Sequence, residues 1–335
     1  MRWIPILGAW VAASLAGAAT FEEDFTSDPF GHGWQVFGDT NLFNWNATNQ
    51  NLEVTWDSSQ SNSYFFRSVG TILARDDDFS LAFDLTLWDI ASGSEPGKTG
   101  GFEIAIGFLN LETATGVNFL RGVFGGAPNL VEFDYFPPGY FPDFGPVAAT
   151  TTPVCISSSG LKFAPKVYAP YEFELPANQT AHVMLSYTAS NQTLVTVVTI
   201  DGVGLGPLPE VVLTNSSVST FRAGDDFRVN VVSINSYSSS GDDYDSVLAH
   251  GTVNNLTVIA PPPPVQSLSG SFRDGVWEAQ FFNRTNWLYT LERTVDLGSW
   301  SDVSAAVAGN GTNLVLRDEN PPPGNAFYRV RANRP

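Results

Sequence analysis

The chain has a single cysteine, Cys155, in 335 residues. An internal disulfide is therefore excluded, and a lone thiol without a basic neighbour reads as a small, half-buried apolar residue. Histidine is nearly as scarce: His32, His182 and His250 are the only three. They fall in no zinc spacing and in no Ser-His-Asp order, and no glycine-rich phosphate loop is present, so those chemistries have no foothold. Charged residues make up only 15% of the chain, and no segment keeps a helical period with caps. That excludes a helical bundle and favours strands joined by turns. Beyond the N-terminus no apolar run approaches 18 residues, so no membrane span is expected.

Acid outweighs base, at a formal net charge of −18. The C-terminal part from Val265 is neutral, so the residues before it carry almost all of that charge. Such a body repels a phosphate backbone, and nucleic acid is not an expected partner. The first residues have the grammar of a secretory leader. Arg2 is followed by the apolar run Trp3 to Leu15, and Ala16-Gly17-Ala18 supplies small residues for cleavage. A secreted protein, extracellular or at the cell surface, is expected, with residues 1–18 removed.

Four prolines, Pro261 to Pro264, mark the clearest boundary. They join neither a ladder nor a helix, and as polyproline II they span roughly 12 Å. The expected domains are 19–260, a linker at 261–265, and a small β module at 266–335. In the large part, Phe79, Leu81, Phe83, Leu85 and Leu87 alternate with small or polar residues. Phe102, Ile104, Ile106 and Phe108 alternate with Glu103, Ala105 and Gly107. Val183, Leu185 and Tyr187 lead through a turn into Leu194 to Ile200, which predicts a hairpin. Many strands with one apolar face each imply two sheets packed face to face. The stretch Phe133 to Pro146 mixes aromatics with Pro and Gly, and reads as a rigid loop presenting rings, irregular beyond Phe136.

Three passages together resemble the concanavalin A-like lectin and glucanase superfamily. Leu130-Val-Glu-Phe-Asp134 is similar to the signature strand of legume lectins. His182 to Gly202 is similar to a hairpin of those lectins and of laminin G-like modules. Phe21-Glu-Glu-Asp-Phe25 with Gly33-Trp34 is similar to the first strand of secreted sandwiches of this type. The resemblance spans roughly residues 21 to 259 and implies an all-β jelly roll. The tail, with Tyr289 to Leu297, Trp300 and Phe327 to Arg331, resembles a small module of exported bacterial proteins, a compact sandwich akin to fibronectin type III.

Glu132 and Asp134 sit two apart on one strand, so both face away from Val131, Phe133 and Tyr135. The resemblance places that face on the concave side, where sugars bind in the superfamily. A glycan site is expected from Glu132, Asp134, Tyr135, Phe136, Tyr140 and Phe141. Glucanases of the superfamily carry a third carboxylate where Phe136 stands here; Glu103 on another strand is the one substitute in view. Lectins of the superfamily carry a metal-ligand Asn where Pro138 stands. A structural alternative pairs Glu132 or Asp134 with an arginine across the sheet, Arg228 being the candidate. Asp242, Asp243 and Asp245 follow a Ser/Gly loop and could wrap calcium, which takes six to eight oxygens. The expectation is a secreted, non-catalytic binder of a polysaccharide or glycan. The alternatives are an adhesive surface protein and a diverged glycoside hydrolase acting on β-glucans.

Overall fold

The computed structural model describes residues 19–121, 126–141, 145–158, 172–205, 208, 210–214 and 225–335. The leader expected at residues 1–18 lies outside them. Among the described residues no helix is long and apolar enough to cross a membrane.

The described residues between 19 and 260 form a jelly-roll sandwich of two sheets, antiparallel but for one short parallel pairing, Asp245 with Gly100. The larger sheet has ten strands and is built around Phe79–Ser92 and Asp245–Ala260. These two share a register broken by bulges at His250/Gly251 and Asn254/Thr257. The hairpin Thr180–Thr188 with Thr193–Ile200 extends the sheet on one side, as its alternation predicts. The N-terminal strand Ala19–Glu23 pairs with the end of Asp245–Ala260, with Phe21 opposite Val258.

The smaller sheet has six strands in the order Thr150–Ile156, Leu130–Phe136, Ile104–Leu109, Arg228–Ser236, Ser63–Ala74 and Gln35–Phe37. The inner faces of the two sheets meet in one core. Phe83 and Phe133 touch across it, with ring centres 5.9 Å apart. Val131, Phe133 and Tyr135 point into this core and are fully buried, as their parity predicts. Cys155 is buried there too, and burial pushes its thiol well above its ordinary range.

The smaller sheet departs from a half-exposed ladder. In Ile104–Leu109 and Leu130–Phe136 nearly every residue is buried, on both faces. The outer face is covered by the segment from Asn110 to Arg121. A short helix, Leu111–Ala114, opens it, capped by the Asn110 side chain, which accepts from the Thr113 amide at 3.0 Å. Tyr64 and Asn62 then hold the segment down, donating to the carbonyls of Ala114 (3.0 Å) and Phe119 (2.9 Å).

Residues 265–333 make two small sheets around a second core of Phe281, Trp287, Tyr289, Leu291 and Leu316. One joins Val265–Arg273, Val276–Asn283 and Asn313–Asp318. The other is centred on Leu288–Thr294, paired with Phe327–Asn333.

Candidate functional site

Glu132 and Asp134 project from the outer face of the six-stranded sheet, and both are fully buried beneath the covering segment. The cation that holds them is Arg121, which that segment carries. Its Nη2 lies 2.6 Å from Asp134 Oδ2 and 3.3 Å from Glu132 Oε1, and its Nε lies 2.7 Å from Glu103 Oε1. Arg228, the arginine expected from the sequence, is elsewhere. It starts its strand five residues before Ser233, the residue level with Glu132, roughly 17 Å away at strand rise. Its guanidinium donates to the Arg334 and Pro335 carbonyls.

Glu103 reaches the cluster through register. Ile104 pairs with Tyr135, so the preceding residue falls beside Phe136, at the level where the signature strand lacks a third acid. Three carboxylates therefore converge on one guanidinium. Tyr237 donates to Glu132 Oε2 at 2.9 Å, and Asn235 Nδ2 donates to the same oxygen at 3.0 Å. The Arg121 guanidinium lies over the Tyr237 ring at 5.1 Å. Gly107 is required here, because a Cβ on it would sit 2.4 Å from the Glu132 Cα.

Burial governs the protonation of this cluster. It pushes the Glu132 carboxyl up to about 7 against the pull of Arg121 and the hydrogen bond from Tyr237. Burial raises Glu103 and Asp134 as well, again opposed by Arg121. One guanidinium faces three carboxylates, and burial holds each of the three above its ordinary range. Asp134 Oδ1, Asn235 Oδ1 and Ser233 Oγ are buried and have no hydrogen-bond partner among the described residues.

The remaining residues of the expected site separate into two places. Tyr135 is a core residue whose hydroxyl accepts from the Leu175 amide at 3.3 Å. Its parity with Val131 and Phe133 already turns it from the face that carries Glu132 and Asp134. Phe136 ends its strand half-buried, opposite Thr150. Beyond it the chain does form regular structure: Gly139–Phe141 pairs with Gly145–Val147 in a short hairpin. Tyr140 on that hairpin is 52% exposed, the largest ring the loop gives to solvent among its described side chains. The Phe141 side chain lies outside the described residues.

Tyr140 has a counterpart from far along the chain. The Thr99 and Gly100 amides donate to the Tyr244 carbonyl at 2.9 and 2.8 Å, and the Tyr140 amide donates to the Thr99 carbonyl at 2.9 Å. One extended segment, Thr99 to Gly101, thus carries the aromatic hairpin on one side and the acidic loop on the other. Glycine makes this approach possible. A Cβ on Gly101 would meet the Pro137 carbonyl at 2.1 Å, and one on Gly139 would meet the Gly101 amide at 2.5 Å. Tyr244 is 53% exposed. Tyr140 and Tyr244 are thus tied through backbone to the same short segment, and both rings are half-exposed.

The acidic loop does not assemble as a calcium site. Asp242 Oδ1 is turned back to its own loop, accepting from the Tyr244 and Asp245 amides at 2.8 Å each. Asp243 is exposed to solvent. Asp245 pairs in register with Gly100, and burial with the nearby Asp242 and Glu103 pushes its carboxyl up to about 7. Among the described residues no group of three or more His, Cys, Asp or Glu side chains could hold a metal ion. Backbone capping occupies one of the loop's carboxylate oxygens, Asp242 Oδ1.

No family model matches the chain, and no curated protein matches it in sequence. Solved structures do resemble it. A peanut lectin with a nine-residue peptide is 14% identical at a TM-score of 0.39, covering 72% of this chain and 99% of its own. Lectin II from Ulex europaeus is 10% identical at 0.39, covering 73% and 100%. A Bauhinia forficata lectin in complex with GalNAc is 14% identical at 0.36, covering 73% and 99%. The jelly roll described above stands on its own strand order and register.

Proposed function

We propose that the protein is a secreted, non-catalytic glycan-binding protein that takes its ligand at the rim formed by Tyr140 and Tyr244, not on the carboxylates of its concave sheet. The observation that carries this reading is that two half-exposed tyrosines, one from the aromatic hairpin and one from the acidic loop, are each hydrogen-bonded through backbone to the same segment, Thr99 to Gly101. Sugar rings offer apolar C–H faces to aromatic side chains and hydroxyls to polar neighbours, and exposed rings fixed on ordered backbone are the surface such a ligand requires. The sealed state of Glu132 and Asp134 supports moving the site outward. The leader-like residues 1–18 support export. The test is a glycan array probed with the mature protein and with Tyr140→Ala/Tyr244→Ala. Capture by the former and loss in the latter is expected.

A second reading, a glycoside hydrolase, is favoured by one observation: Glu103 supplies the third carboxylate that the signature strand lacks. Paired acids of unequal affinity for protons are what such chemistry uses. It would require the Asn110–Arg121 segment to lift from the sheet. Turnover of β-glucans that disappears in Glu132→Gln would establish it.

A further inference from the structure

We propose that the C-terminal module is clamped to the jelly roll at both of its ends, so that the two modules move as one rigid body. A four-proline tether alone would fix only the distance between them.

The grip is on the turn Arg75 to Asp78, which joins Ser63–Ala74 of the smaller sheet to Phe79–Ser92 of the larger. Asp77 is only 5% exposed in this turn. It faces two arginines of the C-terminal module, Arg284 and Arg334. At the entry, Arg284 Nη1 donates to Thr71 Oγ1 at 3.0 Å and to the Pro262 carbonyl at 3.1 Å. The Tyr289 hydroxyl donates to the Pro264 carbonyl at 2.9 Å. The linker is therefore bound along its length, not free. At the exit, Arg334 follows the last strand and its side chain is 4% exposed. Besides Asp77 it reaches the Ile72 carbonyl at 3.2 Å, while Arg228 holds the Arg334 carbonyl at 2.8 Å.

Apolar contact completes the joint. Ile72 of the jelly roll packs against the core of the C-terminal module. Trp287, buried in that core, has the Arg284 and Arg334 guanidinia at 5.8 and 5.9 Å from its ring centre. Exposed ion pairs would count for little here. Asp77 and Arg334 are buried and Arg284 is mostly so, and removing one partner strands the others with little solvent. Entry, exit and Ile72 are three separate attachments, which fixes orientation as well as distance.

The experiment uses the full chain, with small-angle scattering, calorimetry and limited proteolysis of residues 260–275. The wild type is expected to scatter as one compact particle and to unfold in one transition. Asp77→Asn and Arg334→Ala are expected to split that transition, lengthen the particle and raise the cleavage rate roughly tenfold or more, as a fall of 1.4 kcal/mol or greater in closure would. Arg331→Ala serves as the control, since Arg331 pairs with Glu292 and Asp302 within the C-terminal module; it should leave scattering and cleavage unchanged. If Asp77→Asn fails to fold, Arg334→Ala and the wild-type scattering decide alone. Two independent transitions in the wild type, or an extended wild-type particle unchanged by Arg334→Ala, would overturn the proposal.

Discussion

The jelly roll carries two groups of acids and tyrosines within a short distance of each other, and they have opposite fates. The inner group, Glu103, Glu132 and Asp134 with Tyr237, is sealed under the Asn110–Arg121 segment and bound to Arg121. The outer group, Tyr140, Tyr244 and Asp243, stands open at the rim. Residue type does not separate them. Cover does: one face of the sheet has a helix-led segment tied over it, whereas the rings of Tyr140 and Tyr244 are half-exposed. A charged pair on a sheet is a site only while water can reach it; once sealed, it is part of the scaffold and must be neutralised.

The largest effect should come from breaking the seal. Arg121→Leu leaves three buried carboxylates without a cation, and should cost about 3–5 kcal/mol in denaturant unfolding. Arg121→Lys should recover only part of this, since an ammonium cannot replace the planar fork that reaches three acids. Next comes the rim's backbone. In Gly101→Ala the new Cβ meets the Pro137 carbonyl, so the hairpin must shift, at about 1–3 kcal/mol. Glycan capture should fall with it while the Arg121 cluster stays intact.

A pH titration sharpens the contrast further. Glu132 has an ordinary value of 4.5 and is pushed up to about 7 in the fold. Between those values the folded chain binds more protons than the unfolded one. The stability that Glu132 contributes is then full below about 4.5 and is lost as pH rises through about 7. Glu132→Gln should flatten part of this decline in melting temperature, with Glu103, Asp134 and Asp245, all raised, contributing the rest. A profile equally steep in Glu132→Gln would remove Glu132 from the account. The smallest stability effect belongs to Tyr140→Ala and Tyr244→Ala, each expected within about 0.5 kcal/mol of wild type because the rings are half exposed.

Alternation made the strands legible. The hairpin from His182 and the run from Phe79 fall where a period of two puts them, and the run from Phe102 becomes a strand from Ile104 onward. Parity also gave the facing of Glu132 and Asp134, opposite Val131 and Phe133. It could not show what lies over that face, because the cover is a segment with no period of its own. Cations are few before the prolines, only eight Lys and Arg from residue 19 onward, so a partner for the acids had few candidates. Choosing Arg121 over Arg228 needed the path of a loop. Glu103 needed the register of a neighbouring strand. The rim was divided in the sequence, since Tyr140 and Tyr244 are joined only through Thr99 to Gly101. The glycines at 101 and 139 were its one local sign, because a missing Cβ marks where backbones approach.

The most direct test compares the two regions in one binding experiment. Wild type, Glu132→Gln and Tyr140→Ala/Tyr244→Ala are titrated against the best glycan from the array. The account predicts that Glu132→Gln binds as wild type does and that the double tyrosine variant, though folded, does not bind. Loss of binding in Glu132→Gln with full binding in the double variant would contradict it and return the site to the concave sheet.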